Sequence, residues 1–515
     1  MLKPFSNEPL TDFTREENRS KMKEALQKVR NSLGREYPLI IGGEQIYTEE
    51  KIISYNPSRH SEVVGKVSRA DRALAQRAVE TAAETFLSWR QVPPEARARY
   101  LFKAAAIMRK RKHELSAWMV LEAGKNWVEA DADTAEAIDF LEFYGREMIR
   151  LAQPQPVTPY PGEENTLEYL PLGVGVIIPP WNFPLAILTG TTVGPVVAGN
   201  TVVLKPASNT PVIAYKFMEI MQEAGLPPGV INFLPGSGSE IGDFLVGHPL
   251  IHFINFTGSK DVGLHINSLA AQIAPGQKWI KRVAAEMGGK DAIIIDEDCD
   301  LDDAVAGVIT SAYGFSGQKC SACSRLIVVG DAYRPVLDKL AEKVAQLKTG
   351  PAEDYGTDVG PVIDEASFNK IMSYIRIGRE EGHLLTGGQG DSSVGYFIQP
   401  TVFAGVAPHA RIAQEEIFGP VLAVIQARTF DEAIAIANDT EYGLTGGVYS
   451  RNRAHLEKAR REFHVGNLYF NRKCTGALVG VQPFGGFKMS GTNSKAGGRD
   501  YLKLFMQAKS ISERF

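Results

Sequence analysis

Cysteine, excess charge and long apolar runs are all scarce in this chain of 515 residues, and each scarcity excludes a class of protein. Only four cysteines occur, too few for a disulfide framework and typical of a reducing compartment. Lys and Arg (56) nearly balance Asp and Glu (60), so the net charge of -4 gives no general attraction for nucleic acid or an anionic membrane.

No apolar run is long enough for a membrane helix, which needs roughly 18 uninterrupted residues. The most apolar stretch, 173–188, is interrupted by Pro179, Pro180 and Asn182. The first residues contain neither the apolar core of a secretion signal nor an Arg-rich import segment. We therefore expect a cytoplasmic protein without a membrane span.

The order of apolar runs and helical segments along the chain predicts an α/β fold with two doubly wound, Rossmann-like lobes. From Asp71 to Arg150, apolar residues recur at helical spacing, which predicts packed helices. From Gly173, short Val/Ile runs alternate with helical segments, and a second such series follows Gly289. Apolar strands that alternate with helices are typical of parallel sheets covered on both faces. Four prolines between 154 and 161, followed by an alternating segment, predict a protruding hairpin.

Small and polar residues follow the predicted strands of the first lobe, where ligands of such sheets bind. These segments are PPWN, KPAS, PGSG and TGS, and each supplies backbone N–H groups suited to a phosphate. The glycines 236, 238 and 242 are spaced one residue wider than the dinucleotide fingerprint. Alone, this pattern fits an ordinary αβ turn better than a dinucleotide loop.

Cys320 is the candidate nucleophile, in the segment GFSGQKCSACSR, where the adjacent Lys319 would favour the thiolate. A buried structural cysteine is the alternative, since free cysteines are commonly buried. Cys320 and Cys323 also form a C-x-x-C pair, which fits a redox pair. A zinc site would need two more ligands at suitable spacing, and the sequence offers none, so we predict no metal.

Two further side chains are candidates for chemistry. Glu286, in EMGGK, stands at a predicted strand end and fits a general base, or alternatively a solvated surface acid. Asn182, in PPWNFP, fits an oxyanion donor, or alternatively a turn former beside prolines.

Seven motifs in order resemble the NAD(P)-dependent aldehyde dehydrogenase superfamily from about residue 40 to the C-terminus. They are PPWNFP (179–184), KPAS (205–208), FTGS (256–259), EMGGK (286–290), GQKCSACSR (317–325), EEIFGPV (415–421) and PFGGFKMSG (483–491). The resemblance implies that Cys320 attacks an aldehyde, that Asn182 holds the resulting oxyanion and that Glu286 activates water to hydrolyse the thioester.

The resemblance also implies an NAD site. Its residues would be Pro179, Trp181, Lys205, Ser208, Gly236, Thr257, Gly258, Ser259, Glu416 and Phe418. Many NAD-specific members carry Glu where this chain has Ser208, so a carboxylate that would repel a ribose 2′-phosphate is missing. We expect NAD, with tolerance of NADP.

Within the superfamily, the segment KCTGALVGVQPFGG (473–486) is similar to the branch that oxidises L-glutamate γ-semialdehyde. That likeness implies a substrate site made of Ser321, Gly476, Ala477, Phe183, Phe484, Lys319 and Glu136. Adjacent backbone amides suit a carboxylate, and two aromatic rings suit a methylene chain. The alternatives are a longer semialdehyde such as aminoadipate semialdehyde, an acylating dehydrogenase, a non-catalytic scaffold and a thiol–disulfide protein.

The same likeness implies how the chain is divided into domains and which partners it has. We expect an N-terminal helical arm (1–37), an NAD-binding domain (38–150 and 171–288), a catalytic domain (289–490) and oligomerisation elements (151–170 and 491–515). These elements imply a homo-oligomer, either a dimer or an assembly of dimers. A proline dehydrogenase is the expected metabolic partner.

Overall fold

The computed structural model describes residues 3–515, so the first two residues of the predicted arm lie outside the described part. In it the helices, numbered α1 to α15, are Glu16–Arg30, Arg72–Trp89, Pro94–Lys110, Lys112–Ala123, Trp127–Leu151, Ala186–Val197, Pro211–Glu223, Asp243–Gly247, Lys260–Ala270, Leu301–Tyr313, Tyr333–Val344, Glu365–Glu381, Arg411–Gln414, Phe430–Asn438 and Arg453–Glu462.

The strands of the same residues are numbered β1 to β23. They are Arg35–Tyr37, Leu39–Ile41, Glu44–Ile46, Lys51–Asn56, Arg59–Ser68, Glu163–Pro171, Val174–Ile178, Thr201–Leu204, Ile231–Phe233, Ile251–Thr257, Arg282–Glu286, Asp291–Ile295, Cys323–Val329, His383–Thr386, Gly390–Asp391, Phe397–Ile398, Thr401–Ala404, Val421–Ala427, Tyr442–Gly443, Thr445–Tyr449, Asn467–Phe470, Phe487–Lys488 and Met506–Arg514.

The first large sheet has seven strands in the order β11-β10-β7-β8-β9-β2-β3. The first five strands in this order, β11, β10, β7, β8 and β9, are parallel to one another. Strands β2 and β3 add to one edge of the sheet in antiparallel pairs. Neighbouring residues of β8 enter different cores: Val202 packs in the cluster that contains α6, and Val203 in the cluster that contains α2. Helices therefore cover both faces, which is why the central strands are apolar throughout.

The second large sheet has the order β14-β17-β18-β13-β12-β20-β21, and it is parallel except for β14. Ile293 and Ile294 of β12 again enter two separate cores. Strand β11 ends the first sheet at Glu286, and β12 begins the second at Asp291. The short connection 287–290 therefore joins the two lobes directly.

The segment 151–170 does not form the expected hairpin on its own. Its strand β6 pairs antiparallel with the distant β23, from Pro171 opposite Met506 to Glu163 opposite Arg514. The four prolines before β6 lack the N–H groups that a second local strand would need. The partner strand therefore comes from the other end of the chain, and together β6 and β23 form a two-stranded ribbon.

The N-terminal part of the chain packs against the first lobe. Helix α1 buries Met22, Leu26 and Val29 in the same core as Leu115 and Trp118 of α4. Strands β1, β5 and β4 form a three-stranded sheet beside it. Among residues 3–515, no helix combines the length and apolar character needed to cross a membrane.

Candidate active site

Two cavities meet at Cys320. The larger cleft measures about 420 Å³ and is lined by the ends of strands of the first lobe and by residues 416–418 of the second. The smaller cavity measures about 110 Å³ and is lined by α5, by the start of α6 and by residues 476–484. Cys320 and Thr257 line both. A thiol at this junction can reach ligands from either side.

The loop that carries Cys320 has an unusual backbone. Phe315, Ser316 and Gly317 all have positive φ angles, of 50°, 57° and 69°. A Cβ atom on Gly317 would lie 2.3 Å from the carbonyl oxygen of Gly419, so only glycine fits there. The hydroxyl of Ser316 donates to the Gly360 carbonyl at 2.8 Å. Backbone strain held by surrounding bonds is typical of functional sites.

Gln318 connects this loop to Asn182. The Nδ2 atom of buried Asn182 donates to the Gln318 carbonyl oxygen at 3.0 Å. The Gln318 side chain is itself fixed, because its Oε1 accepts from the Ile363 N–H at 2.9 Å. Asn182 also lines the larger cleft together with Cys320. Its amide is thus held beside the nucleophile loop, with its second N–H available to a ligand.

The expectation that Lys319 favours the thiolate is not met. Burial raises the pKa of the Cys320 thiol, and the carboxyl groups of Asp291, Glu416 and Glu286 raise that pKa further. The ammonium of Lys319 instead pairs with Glu129, with an Nζ–Oε2 distance of 2.7 Å. Because adjacent side chains point in different directions, sequence proximity did not bring this charge to the sulfur. Lys319 lines neither cavity.

Glu286 lies buried at the end of β11 and lines the smaller cavity with Cys320. Burial raises its pKa to about 7, although hydrogen bonds from Ser494 and Gly486 oppose that rise. The Ser494 hydroxyl donates to Oε1 at 2.6 Å, and the Gly486 N–H donates to Oε2 at 3.3 Å. A carboxyl with this pKa can take up or release a proton near neutral pH.

Eight of the ten predicted cofactor residues line the larger cleft: Pro179, Trp181, Lys205, Thr257, Gly258, Ser259, Glu416 and Phe418. The other two do not. Ser208 is exposed in the turn after β8. Gly236 packs under Ile241, where a Cβ atom would lie 2.3 Å from the isoleucine side chain. Residues 238–242 form a π-helical turn that leads into α8.

The larger cleft contains polar groups that can bind an anionic, hydroxyl-rich ligand. Lys205 is 8% exposed, and burial lowers its pKa to about 8. It forms no ion pair with any carboxylate of residues 3–515. Helix α9 begins directly after Ser259, which caps it, so its first N–H groups face the same cleft. Helix N-termini favour phosphate.

Glu416 and Phe418 are held at the far side of the larger cleft. The Gly289 N–H donates to Glu416 Oε1 at 3.1 Å. Phe418 has a φ of 61° and packs edge to face on Trp181, with ring centroids 5.5 Å apart. The hydrogen bond from Gly289 to Glu416 joins the connection 287–290 to the second lobe, and residues of both lobes line the cleft.

Six of the seven predicted substrate residues line the smaller cavity: Glu136, Phe183, Ser321, Gly476, Ala477 and Phe484. The two residues expected to bind a carboxylate belong to the anchor loop, defined here as residues 474–484. Gly476 has a φ of 72°, and Arg472 donates to its carbonyl oxygen at 3.3 Å. In residues 3–515, the N–H groups of Gly476 and Ala477 donate to no other protein group. Both are therefore available to a ligand.

Several residues of the smaller cavity were not predicted from the sequence. Phe140, Ser494 and Tyr501 line it. Lys125, fully buried, forms an ion pair with Asp133 at 2.9 Å and lies 4.0 Å from the Phe183 ring centroid. Helical spacing marks Phe140 only as a core position, and Lys125, Ser494 and Tyr501 lie outside the α-helices, so the sequence carried no signal for these roles.

Glu136 differs electrostatically from Glu129, one of its neighbours on α5. Burial and the nearby Asp133 raise the pKa of Glu136 to about 8, whereas Lys319 and Lys125 hold the pKa of Glu129 below its usual value. Glu136 is therefore mostly protonated at neutral pH and can donate a hydrogen bond into the smaller cavity.

Comparison with known proteins identifies a family whose model matches this chain and several proteins of similar sequence and structure. The model of the aldehyde dehydrogenase family matches residues 46–511. A 1-pyrroline-5-carboxylate dehydrogenase of Geobacillus kaustophilus is 63% identical over 515 residues, which cover all of both chains. The crystal structure of a Thermus 1-pyrroline-5-carboxylate dehydrogenase with bound NAD superposes with a TM-score of 0.98 at 59% identity, again over both full chains. Proline utilization A of Bdellovibrio bacteriovorus is 47% identical with a TM-score of 0.98, covering 99% of this chain and 53% of that one.

Proposed function

The chain belongs to the aldehyde dehydrogenase family, and from that premise we propose that it oxidises L-glutamate γ-semialdehyde to L-glutamate with NAD. This semialdehyde is the open form of 1-pyrroline-5-carboxylate. The full-length relatives at about 60% identity are 1-pyrroline-5-carboxylate dehydrogenases. The observation that carries the proposal is the thiol of Cys320 at the junction of two cavities, one suited to a nucleotide and one to a small carboxylate.

We propose Cys320 as the nucleophile and Asn182 as the oxyanion donor. Addition of the Cys320 sulfur to the aldehyde carbon places a negative charge on the former carbonyl oxygen. The Asn182 Nδ2, oriented by the Gln318 carbonyl, and the backbone N–H of Cys320 would stabilise that charge. Glu286 lines the same cavity and has a pKa near neutrality, so it can accept the thiol proton.

We propose that the larger cleft holds NAD. Its residues fit this dinucleotide, because the unpaired Lys205 suits ribose hydroxyls and the N-terminus of α9 suits the pyrophosphate. Glu416 would accept hydrogen bonds from the second ribose. NAD, when bound there, supplies the acceptor for the hydride that leaves the Cys320 adduct, and a thioester remains on the sulfur. The exposed Ser208 adds no negative charge near the first ribose, which is compatible with some use of NADP.

After it has released the thiol proton to solvent, Glu286 would act as the general base for hydrolysis. It takes a proton from a water molecule, the water oxygen adds to the thioester carbon, and the C–S bond breaks. L-Glutamate leaves, and the thiolate of Cys320 takes up a proton. A thioester is a good acyl donor, so a base with a pKa near 7 is adequate.

The substrate's other end would be held by the anchor loop. The free N–H groups of Gly476 and Ala477 bind the α-carboxylate, and the rings of Phe183 and Phe484 contact the methylenes. Ser321 and the protonated Glu136 complete the polar lining. Lys319 acts only indirectly, through its ion pair with Glu129.

We further propose that the protein is a cytoplasmic homo-oligomer. An isolated two-stranded ribbon is marginally stable in water, and the β6–β23 ribbon exposes Leu170 and Ile511. A second copy of the chain would cover these residues. A proline dehydrogenase is the metabolic partner, since oxidation of proline gives 1-pyrroline-5-carboxylate, and similarity to a proline utilization protein supports this link.

The test is NAD reduction, followed by absorbance, with three aldehydes: glutamate γ-semialdehyde, aminoadipate semialdehyde and an uncharged aldehyde such as butanal. We expect the wild type to prefer glutamate γ-semialdehyde and Cys320→Ser to be inactive. Cys323→Ser is the matched control, because Cys323 is buried and lines neither cavity. Loss of activity in that control would favour a thiol–disulfide mechanism. Equal turnover of butanal would refute the carboxylate site.

A further inference from the structure

The N-terminal arm segment, defined as residues 3–13, reaches the anchor loop through one side chain. Asn7 Nδ2 donates to Asp139 Oδ2 at 2.8 Å and to the Val479 carbonyl oxygen at 3.0 Å. Asp139 belongs to α5, and Val479 belongs to the anchor loop. The N–H of Glu8 donates to the other Asp139 oxygen at 2.6 Å. One amide group thus connects the arm segment, α5 and the anchor loop.

An aromatic contact reinforces the same junction. Phe5 packs edge to face on Phe143 of α5, with ring centroids 5.2 Å apart. The anchor loop passes against both rings at Gly480, which has a φ of 78°. A Cβ atom there would lie 3.0 Å from the Phe143 ring and 3.1 Å from the Phe5 ring. The loop backbone is therefore seated on a surface that the arm segment partly supplies.

The two elements that Asn7 joins both line the smaller cavity. Glu136 and Phe140, on either side of Asp139 in α5, line this cavity. Ala477 and Val479 line it from the anchor loop. The Asn7 bridge therefore ties together the two elements whose relative position sets where the Gly476 and Ala477 N–H groups point.

The arm segment has a separate attachment that does not involve the anchor loop. Thr11 donates to Asp131 of α5 through its N–H at 2.7 Å and through its hydroxyl at 2.6 Å. Lys112 also binds Asp131, at 3.0 Å. Loss of the Asn7 amide should therefore leave the arm segment on α5 and release only the loop. The two attachments can be tested independently.

We propose that Asn7 is a positioning residue for the anchor loop, and that the arm segment thereby sets selectivity for aldehydes that carry a carboxylate. The kinetic part of this inference rests on the proposed function. Asn7 touches neither substrate nor cofactor in this scheme. It fixes the backbone that presents two N–H groups to the α-carboxylate.

The kinetic test compares Asn7→Ala with wild type on glutamate γ-semialdehyde and on butanal. Loss of the part-buried hydrogen bond to Val479, the one that holds the anchor loop, predicts a KM for the semialdehyde about fivefold higher, with kcat nearly unchanged. The KM for butanal should stay constant, because butanal has no carboxylate. Asn18→Ala is the matched control: it removes the side-chain hydrogen bond of an asparagine to the Asp12 carbonyl, a bond that does not involve the anchor loop. Thr11→Ala weakens only the attachment of the arm segment to α5, so it should not change the ratio of the two KM values.

A second measurement separates this inference from the proposed function. Amide hydrogen exchange of residues 474–484 should become faster in Asn7→Ala and stay as in wild type in Asn18→Ala. Unchanged exchange, or equal KM increases for both aldehydes, would overturn the positioning role. If the wild type fails to oxidise the semialdehyde, the proposed function fails, while exchange still decides whether Asn7 holds the loop.

Discussion

The hydrogen bonds to Glu286 predict how thioester hydrolysis depends on pH. The carboxylate, not the carboxylic acid, takes the proton from water, and burial places its pKa at about 7. The hydrolytic rate should therefore rise with pH and reach half its maximum near pH 7. Between pH 6 and pH 8 the ionised fraction, and with it the rate, should increase about tenfold.

Replacing Ser494 by alanine should move this midpoint upward. The Ser494 hydroxyl makes the shortest hydrogen bond to the carboxylate, at 2.6 Å, whereas the N–H donors of Ser494 and Gly486 remain in the variant. A hydrogen bond to a charged group contributes about 1.5–3 kcal/mol, which is equivalent to a pKa change of about 1–2 units. At pH 7 the rate should then fall about 5- to 50-fold, and the plateau at high pH should be retained.

The assay loads the enzyme with substrate and NAD and measures acid release by rapid quench from pH 6 to pH 10. A burst of NADH of unchanged amplitude shows that thioester formation is intact. Thr492→Ala is the control, since its hydroxyl accepts from the Ala285 N–H at 3.0 Å and makes no hydrogen bond to Glu286. A midpoint that stays near pH 7 in Ser494→Ala would refute the reasoning, as would wild-type hydrolysis by Glu286→Gln.

Two further predictions concern buried charge. In the free protein, iodoacetamide should alkylate Cys320 at pH 7 more slowly than it alkylates a cysteine in a short peptide, because the raised pKa of the Cys320 thiol disfavours the thiolate. Mass spectrometry after timed quenching measures the two alkylation rates. Equal rates would contradict the prediction. Lys125→Met should lower the unfolding temperature, since leaving the buried Asp133 without its ion-pair partner costs about 3–5 kcal/mol of stability. The double variant Lys125→Met/Asp133→Asn should recover much of that stability. Scanning calorimetry measures both unfolding temperatures. Equal destabilisation of the single and double variants would show that the ion pair is not the cause.

The positions of many site residues could be predicted because they follow strands. Asn182, Lys205 and Ser259 come after β7, β8 and β10, and the carboxyl ends of neighbouring parallel strands meet at one edge of the sheet. Chain order along the sheet therefore places them together without knowledge of any side-chain contact.

Contacts between distant segments were beyond such reasoning. Alternation identified β6 as a strand but gave no information on its partner, β23, which follows more than 300 residues later. Asn7 and Val479 are separated by 472 positions, and neither lies in a periodic pattern. The direction of Lys319 depends on Glu129, which also comes from another part of the chain. Each of these features depends on contacts between segments that are distant in the sequence rather than on local sequence.

The distribution of charge around Cys320 also favours one orientation of a bound semialdehyde. The sulfur is surrounded by carboxyl groups whose burial raises their pKa values: Glu286, Asp291 and Glu416. Cations stand at the anchor loop instead, where Arg472 binds the Gly476 carbonyl and Lys473 lies beside Gly476. The carboxyl groups near the sulfur offer a carboxylate no ion pair, whereas the cations at the anchor loop attract it. We therefore expect a semialdehyde with an α-carboxylate to bind with its aldehyde at Cys320 and its carboxylate at the anchor loop.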